Sequence, residues 1–205
     1  MDREKTSLFK NYKCVAAAFV VALLLPLVIS EFWVHVFNEI LIMGLFALSF
    51  NMIFGYMGQL SFGHAAYYGI GAYTTGLLMV KAKWPLFATL PISMITAGMG
   101  AAILGFFCVR LRGIYFAILT MAFGQLVFYI VFQWYSFTGG DNGLQGINPP
   151  LWLFKANAYY YFTLAVVTIG AILLWFISES PFCYTMRTIR DTTERTECIG
   201  FSGPG

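Results

Sequence analysis

Ser61 and His64 stand three residues apart, a spacing that sets a hydroxyl beside an imidazole on one helix face. Nucleophilic catalysis would also need a third group to orient the imidazole, and nothing acidic is placed to do so. Asp141 follows Gly139-Gly140, a context superficially similar to that of aspartyl proteases. That chemistry requires two carboxylates sharing one site, and no aspartate lies in an apolar segment to pair with it. His64 has no second His, Cys or carboxylate at ligand spacing, and Cys14, Cys108, Cys183 and Cys198 match no zinc pattern. The expectation is a non-enzymatic chain with no catalytic residues, no cofactor and no metal.

These side chains therefore have to be understood through the helices that carry them. Ser61, His64, Tyr68 and Thr75 recur about one or two turns apart within Asn51 to Met79, an apolar stretch with six glycines between Gly55 and Gly76. Each glycine costs about 1 kcal/mol in a water-exposed helix. In lipid, close packing compensates, because small residues let backbones approach; Ala65, Gly69, Ala72 and Gly76 form the stripe expected to receive a neighbour. The polar stripe beside it reads either as interhelical hydrogen-bond glue or as the lining of a water-filled path. On the second reading Ser61, His64 and Tyr68, with Gln125, line a translocation route.

Composition sets the class. With 60% hydrophobic and 10% charged residues and a mean hydropathy of +0.76, the chain lies outside the soluble range, where about a quarter of residues are charged. Apolar runs of about twenty residues span a bilayer as helices, and the alternating ten-residue segments of a β-barrel are absent. Nothing favours nucleic acid as a partner, since no basic cluster or motif for it occurs beyond the N-terminal tail.

Six apolar segments emerge: about Cys14–Ser30, Val36–Tyr56, Leu60–Val80, Pro85–Val109, Gly113–Phe137 and Ala158–Ser178. The fold class is an all-α polytopic helix bundle. Residues 1–13 form a polar tail, 14–178 the membrane domain and 179–205 a polar end segment. With the N-terminus cytoplasmic, Arg3, Lys5, Lys10, Lys13, Arg110, Arg112, Arg187, Arg190 and Arg195 fall inside and Lys81, Lys83 and Lys155 outside. Nine against three obeys the positive-inside rule, so both ends of this chain are predicted cytoplasmic. The cysteines then lie near the reducing face, and no disulfide is expected. No small-residue cleavage site follows the first run, which reads as an uncleaved helix.

Within the segments, Glu39 sits near the outer end of the second. Asn51 is expected to hold a neighbouring helix through its amide. Pro85 suits a first turn and Pro91 should bend the fourth segment. Gly98, Ala101, Ala102 and Gly105 provide that segment's small contact surface, and Gln125, Tyr129 and Gln133 a polar stripe on the fifth. The loop Thr138–Asn157 starts with Thr138-Gly139-Gly140-Asp141-Asn142-Gly143-Leu144, turn-forming by composition.

Three stretches carry a resemblance. Asn51, Gly55, Gly58-Gln59-Leu60-Ser61-Phe62-Gly63-His64, Gly69 and Gly71-Ala72-Tyr73 resemble the signature of the permease subunits of branched-chain amino-acid ABC importers. RLRGIYFAILTMAFGQ and the TGG element with its following Gly143-Leu144 resemble the same family, the M-type more than the H-type subunit. The resemblance implies a bacterial inner-membrane permease in the lipid bilayer, paired with a second, H-type permease subunit. Two cytoplasmic ATP-binding subunits would drive it, and an extracytoplasmic solute-binding protein would deliver leucine, isoleucine, valine or a similar solute. Relatives that carry urea or short amides, and a structural or channel subunit, are the alternatives. Thr138, Gly139, Gly140, Asp141, Asn142 and Gly143 read either as a tight turn or as the contact loop for the binding protein.

By charge pattern alone the segment Glu179–Ser202 is a solvated tail. The resemblance makes it an ATPase-coupling segment: Arg190, Glu194, Arg195, Thr196 and Gly200 fall on or beside the spacing of the E-A-A-x-x-x-G loop. Glu194 and Gly200 agree in identity, while Arg195 and Thr196 replace small residues. Members of the family continue into further membrane helices where this chain stops at Gly205, so a truncated product is expected.

Overall fold

The fold is taken from a computed structural model. It describes residues 12–111, 113–147, 150–181 and 183. Among them six long helices carry the chain: α1 Tyr12–Val28, α2 Glu31–Asn51, α3 His64–Val80, α4 Leu86–Cys108, α5 Ile114–Gln133 and α6 Ala156–Ser178. No strand occurs among the described residues. Four stretches, Glu31–Met57, Leu86–Cys108, Ile114–Gln133 and Ala156–Ser178, are long and apolar enough to cross a membrane. The 17-residue helices α1 and α3 are each about 25 Å long at 1.5 Å per residue, near the lower limit for a span.

Two helix ends depart from the expected segments. α2 runs on into a π-helical turn, Met52–Met57, that stops at Gly58, whose φ of 69° is left-handed. Residues 58–63 are not helical, so the third segment begins at His64 and not at Leu60. Ser61 therefore precedes the helix and does not share a helical stripe with His64, Tyr68 and Thr75. At the other end α5 stops at Gln133, because Trp134 (φ −84°, ψ 60°) leaves helical geometry before the single turn Tyr135–Thr138.

The contacts divide the chain into two units. One contains α1, α2 up to Phe46, and Leu151–Ile172. Its core is Val34, Tyr160 and Leu164, with Ala22, Phe37 and Leu41 packed against it. Pro26 lies inside α1 and has no N–H to offer the carbonyl of Ala22 four residues before it. The Tyr160 hydroxyl supplies the missing donor, 2.9 Å from Ala22 O, and Tyr161 donates to the next carbonyl, Leu23 O, at 3.2 Å. A backbone group that lipid could not satisfy is thus satisfied from another helix.

The other unit contains α2 from Ala47, α3, α4, α5 and the loop that follows. The most extensive helix pair is α3 with α4. The Thr96 hydroxyl donates to Thr74 Oγ1 at 3.1 Å, and Thr74 donates to the Ile70 carbonyl at 2.8 Å. Gly71 faces Ala97 and Ser93, and Gly100 faces Ile70. This is not the expected contact. The stripe Ala65, Gly69, Ala72, Gly76 lies two positions away, about 200° round the helix; a Cβ on Gly69 would meet nothing within 4 Å, and Ala65 and Ala72 are exposed. Likewise Gly98 and Gly105 of α4 face open space while Ser93, Ala97 and Gly100 make the contact. The Asn51 amide, expected to hold a neighbouring helix, lies over the next turn of its own, where it fills the space a Cβ on Gly55 would need.

Candidate functional site

The non-helical crossing between α2 and α3 is seated on α5. Phe62 N–H donates to Thr120 Oγ1 at 3.2 Å, and Thr120 donates in turn to the Ala117 carbonyl at 2.9 Å. A Cβ on Gly63 would fall on the Thr120 carbonyl, and one on Gly124 would stand 3.3 Å from the Cα of Gly63. Two glycines one above the other thus set the distance between the start of α3 and the middle of α5. At the same point the His64 ring lies 2.8 Å from Ser49 Oγ through Nε2 and is flanked edge-on by Phe50 and Tyr67.

From this contact α3 and α5 enclose an open cleft of about 560 Å³. Ala65, Ala66 and Gly69 make one wall, almost devoid of side chain, and Met121, Phe128 and Phe132 the apolar wall opposite. Polar groups enter at few places: Tyr73 from α3, Gln125 from α5, and Gly140, Asp141 and Gly143 at the far end.

That far end is a tight turn. The Thr138 hydroxyl is within hydrogen-bonding distance of the carbonyls of Val131 (2.6 Å) and Trp134 (2.9 Å), and it accepts from Gly140 N–H at 3.3 Å. Gly139 (φ 84°) and Gly140 (φ 55°) are left-handed, and side chains there would strike the Gly143 carbonyl and the Tyr135 ring. Asn142 Nδ2 donates to Tyr135 Oη at 2.7 Å. Leu144 then seats on Gly76 of α3, and Lys81 donates to Ser136 O at 3.3 Å with its ammonium over the Phe137 ring. Of the turn residues only Asp141 and Asn142 are exposed, and Asp141 points no contact back into the turn's own hydrogen bonds.

The residues expected along a path are dispersed. Ser61 is buried at the crossing, His64 is turned to Ser49, and Tyr68 is half-exposed away from the cleft. Gln125 alone of the four lines the cleft, where it joins Asp141, Gly140 and Gly143 of the loop. Thr120 and Gly124, which seat α3, carried a readable signal in the sequence as a hydroxyl and a glycine four residues apart. Arg190, Glu194, Arg195, Thr196 and Gly200, with the N-terminal basic residues Arg3, Lys5 and Lys10, and Arg112 and Arg187, lie outside the described residues.

Residues 32–203 match a family described as "Branched-chain amino acid transport system / permease component". The chain belongs to this family. It is 33% identical over 144 residues to the high-affinity branched-chain amino acid transport system permease protein LivM of Escherichia coli (strain K12), covering 70% of this chain and 34% of that protein. The LivM of Salmonella typhimurium is 32% identical over 144 residues, with the same coverage. The chain spans about a third of the length of these curated relatives. No solved structure matches it. Family membership and the long apolar helices together make it a multi-pass membrane protein. The GQLSFGH and TMAFGQ stretches that resembled the family in sequence are the two sides of the Gly63–Gly124 contact.

Proposed function

We propose that this chain is the membrane-spanning, M-type permease subunit of an ATP-driven importer for branched-chain amino acids. The observation that carries this reading is the family match over residues 32–203. A cleft with aliphatic and aromatic walls and few polar groups supports it, because such a surface suits solutes with apolar side chains. In this reading α3, α5 and the Thr138–Gly143 turn form part of the solute route. The π-helical turn and the left-handed Gly58 interrupt the helical ladder before the crossing at residues 58–63. Ser61 and His64 then act as supports of that crossing, and Gln125 as a wall of the route.

ATP is hydrolysed by two cytoplasmic partner subunits, engaged through Arg190, Glu194, Arg195, Thr196 and Gly200; a second, H-type permease subunit completes the route. The extracytoplasmic binding protein meets the exposed part of the 138–143 turn. The chain sits in the bacterial inner membrane with both of its ends cytoplasmic, as the nine-to-three charge asymmetry favours.

The test is uptake in cells that lack their own branched-chain importers, supplied with this chain and the genes flanking it. Leucine uptake should depend on this chain, and Glu194→Lys should abolish it at unchanged membrane abundance. Uptake independent of the chain, or competed as well by urea or acetamide as by isoleucine, would overturn the assignment.

A further inference from the structure

We infer that Asn38 of α2 and Thr163 of α6 hold an ordered water molecule between them, enclosed by two membrane-spanning helices. The inference stands apart from the import reading and rests on burial, register and missing bonds. Asn38 is 3% exposed and Thr163 7%, and both lie within long apolar helical stretches, Glu31–Met57 and Ala156–Ser178. Asn38 Oδ1 is sealed and has no hydrogen-bond partner among the described residues. The Thr163 hydroxyl is not turned back on its own helix, as are those of Thr168 on Leu164 O at 2.7 Å and Thr89 on Leu86 O at 2.8 Å.

Register sets the two groups opposite each other. Near the start of both helices Val34 packs with Tyr160 and Leu164; farther along both, Leu45 covers Gly170, where a Cβ would stand 3.0 Å from Leu45 Cδ2. α2 and α6 therefore run parallel within the first unit. Asn38 precedes Leu45 by seven residues, and Thr163 precedes Gly170 by seven. Seven residues are close to two turns, so each polar group lies on the contact face of its helix, one step before the contact of Leu45 with Gly170. In lipid an unpaired buried carbonyl is costly, because no solvent is at hand to satisfy it. A molecule that satisfies it must be small enough to sit between packed helices, able to donate, and neutral, since the neighbouring His35 and Glu39 are exposed. Water meets all three conditions. The pair gives it the two polar partners that a buried water needs, and it serves either orientation of the Asn38 amide because it both donates and accepts.

The test is X-ray radiolytic labelling of the chain in native membranes, read by tandem mass spectrometry, since hydroxyl radicals formed from an enclosed water oxidise the buried side chains beside it. In the parent chain Leu41 and Leu164, which flank the pair, should be oxidised about fivefold faster than Leu45, one step deeper on the same seam. Asn38→Leu and Thr163→Val should each bring Leu41 and Leu164 down to the level of Leu45, while Thr163→Ser keeps the difference. The parent-chain comparison needs no variant, so it decides even where Asn38→Leu fails to accumulate. Equally low labelling of the three leucines, as in a dry and directly bonded pair, overturns the inference. So does equally high labelling, as in a continuous water passage. Oxidation that persists in Asn38→Leu, or that is lost in Thr163→Ser, overturns it as well, because the water would then not be held by these two groups.

Discussion

Around Tyr160 helices are joined by long side chains, whereas around Gly63 they are joined by backbone. In the first unit a phenol crosses to a carbonyl that Pro26 has left without its donor, and Val34 and Leu164 close the core round it. In the second, Gly63 and Gly124 bring α3 and α5 together with no side chain between them, and hydroxyls on Thr120, Thr74 and Thr96 supply the polar contacts. Side chains reach several ångströms and adjust by rotamer; touching backbones cannot adjust. The glycine-built unit is therefore the less tolerant at its contacts. It is also the one with the open cleft, one wall of which Ala65 and Gly69 leave almost bare.

The comparison can be broken most forcefully at Gly63. Gly63→Leu places its Cβ on the Thr120 carbonyl and should cost about 3 kcal/mol in detergent-titrated unfolding in bicelles. Gly69→Ala on the same helix, with open space beside it, should be neutral or gain up to about 1 kcal/mol. Equal effects at the two positions would show that propensity and not contact controls this unit.

Next is Gly139→Ala, which forces a side chain into a left-handed φ of 84° and against Gly143. A loss of about 2 kcal/mol is expected, visible as faster proteolysis between residues 134 and 147 with the remaining helices protected. Tyr160→Phe should cost about 1.5 kcal/mol by leaving the Ala22 carbonyl without a donor. Adding Pro26→Ala restores a donor inside α1 and should recover most of that loss, and failure of this rescue would show that the phenol acts by packing. The smallest effect belongs to Thr96→Val, which removes one interhelical hydrogen bond worth about 0.6 kcal/mol in a membrane.

Much of this was readable from residue order. The apolar runs located six helices to within a few residues, since only helices satisfy their own backbone over that length in lipid. The glycines and Thr138 marked the turn before Leu144 through their conformational preferences, and the TGG element folds as one. Helix faces were not readable in the same way. By spacing the small-residue stripe through Gly69 reads as the packing face, whereas Gly71 and Thr74 meet α4. In a soluble helix an apolar stripe against a charged face reveals the inward side. These helices are apolar nearly all round, because lipid and core demand the same residues, so no contrast marks which side is inside.

By itself, then, the sequence determined the class of the protein, the order of the long helices among the described residues, its family, and the places where glycine or proline must interrupt regular structure. Tertiary structure decided the partners across those interruptions: Tyr160 with the carbonyl freed by Pro26, 138 residues apart in contact, Gly63 with Gly124, and Asp141 with Gln125 at one cleft. The physical reason is that an interruption is a local property of backbone geometry, fixed by the residue that makes it. What fills or satisfies it depends on which distant helix lies beside it, and packing in lipid settles that through shape and a few hydrogen bonds without leaving a periodic trace in the chain.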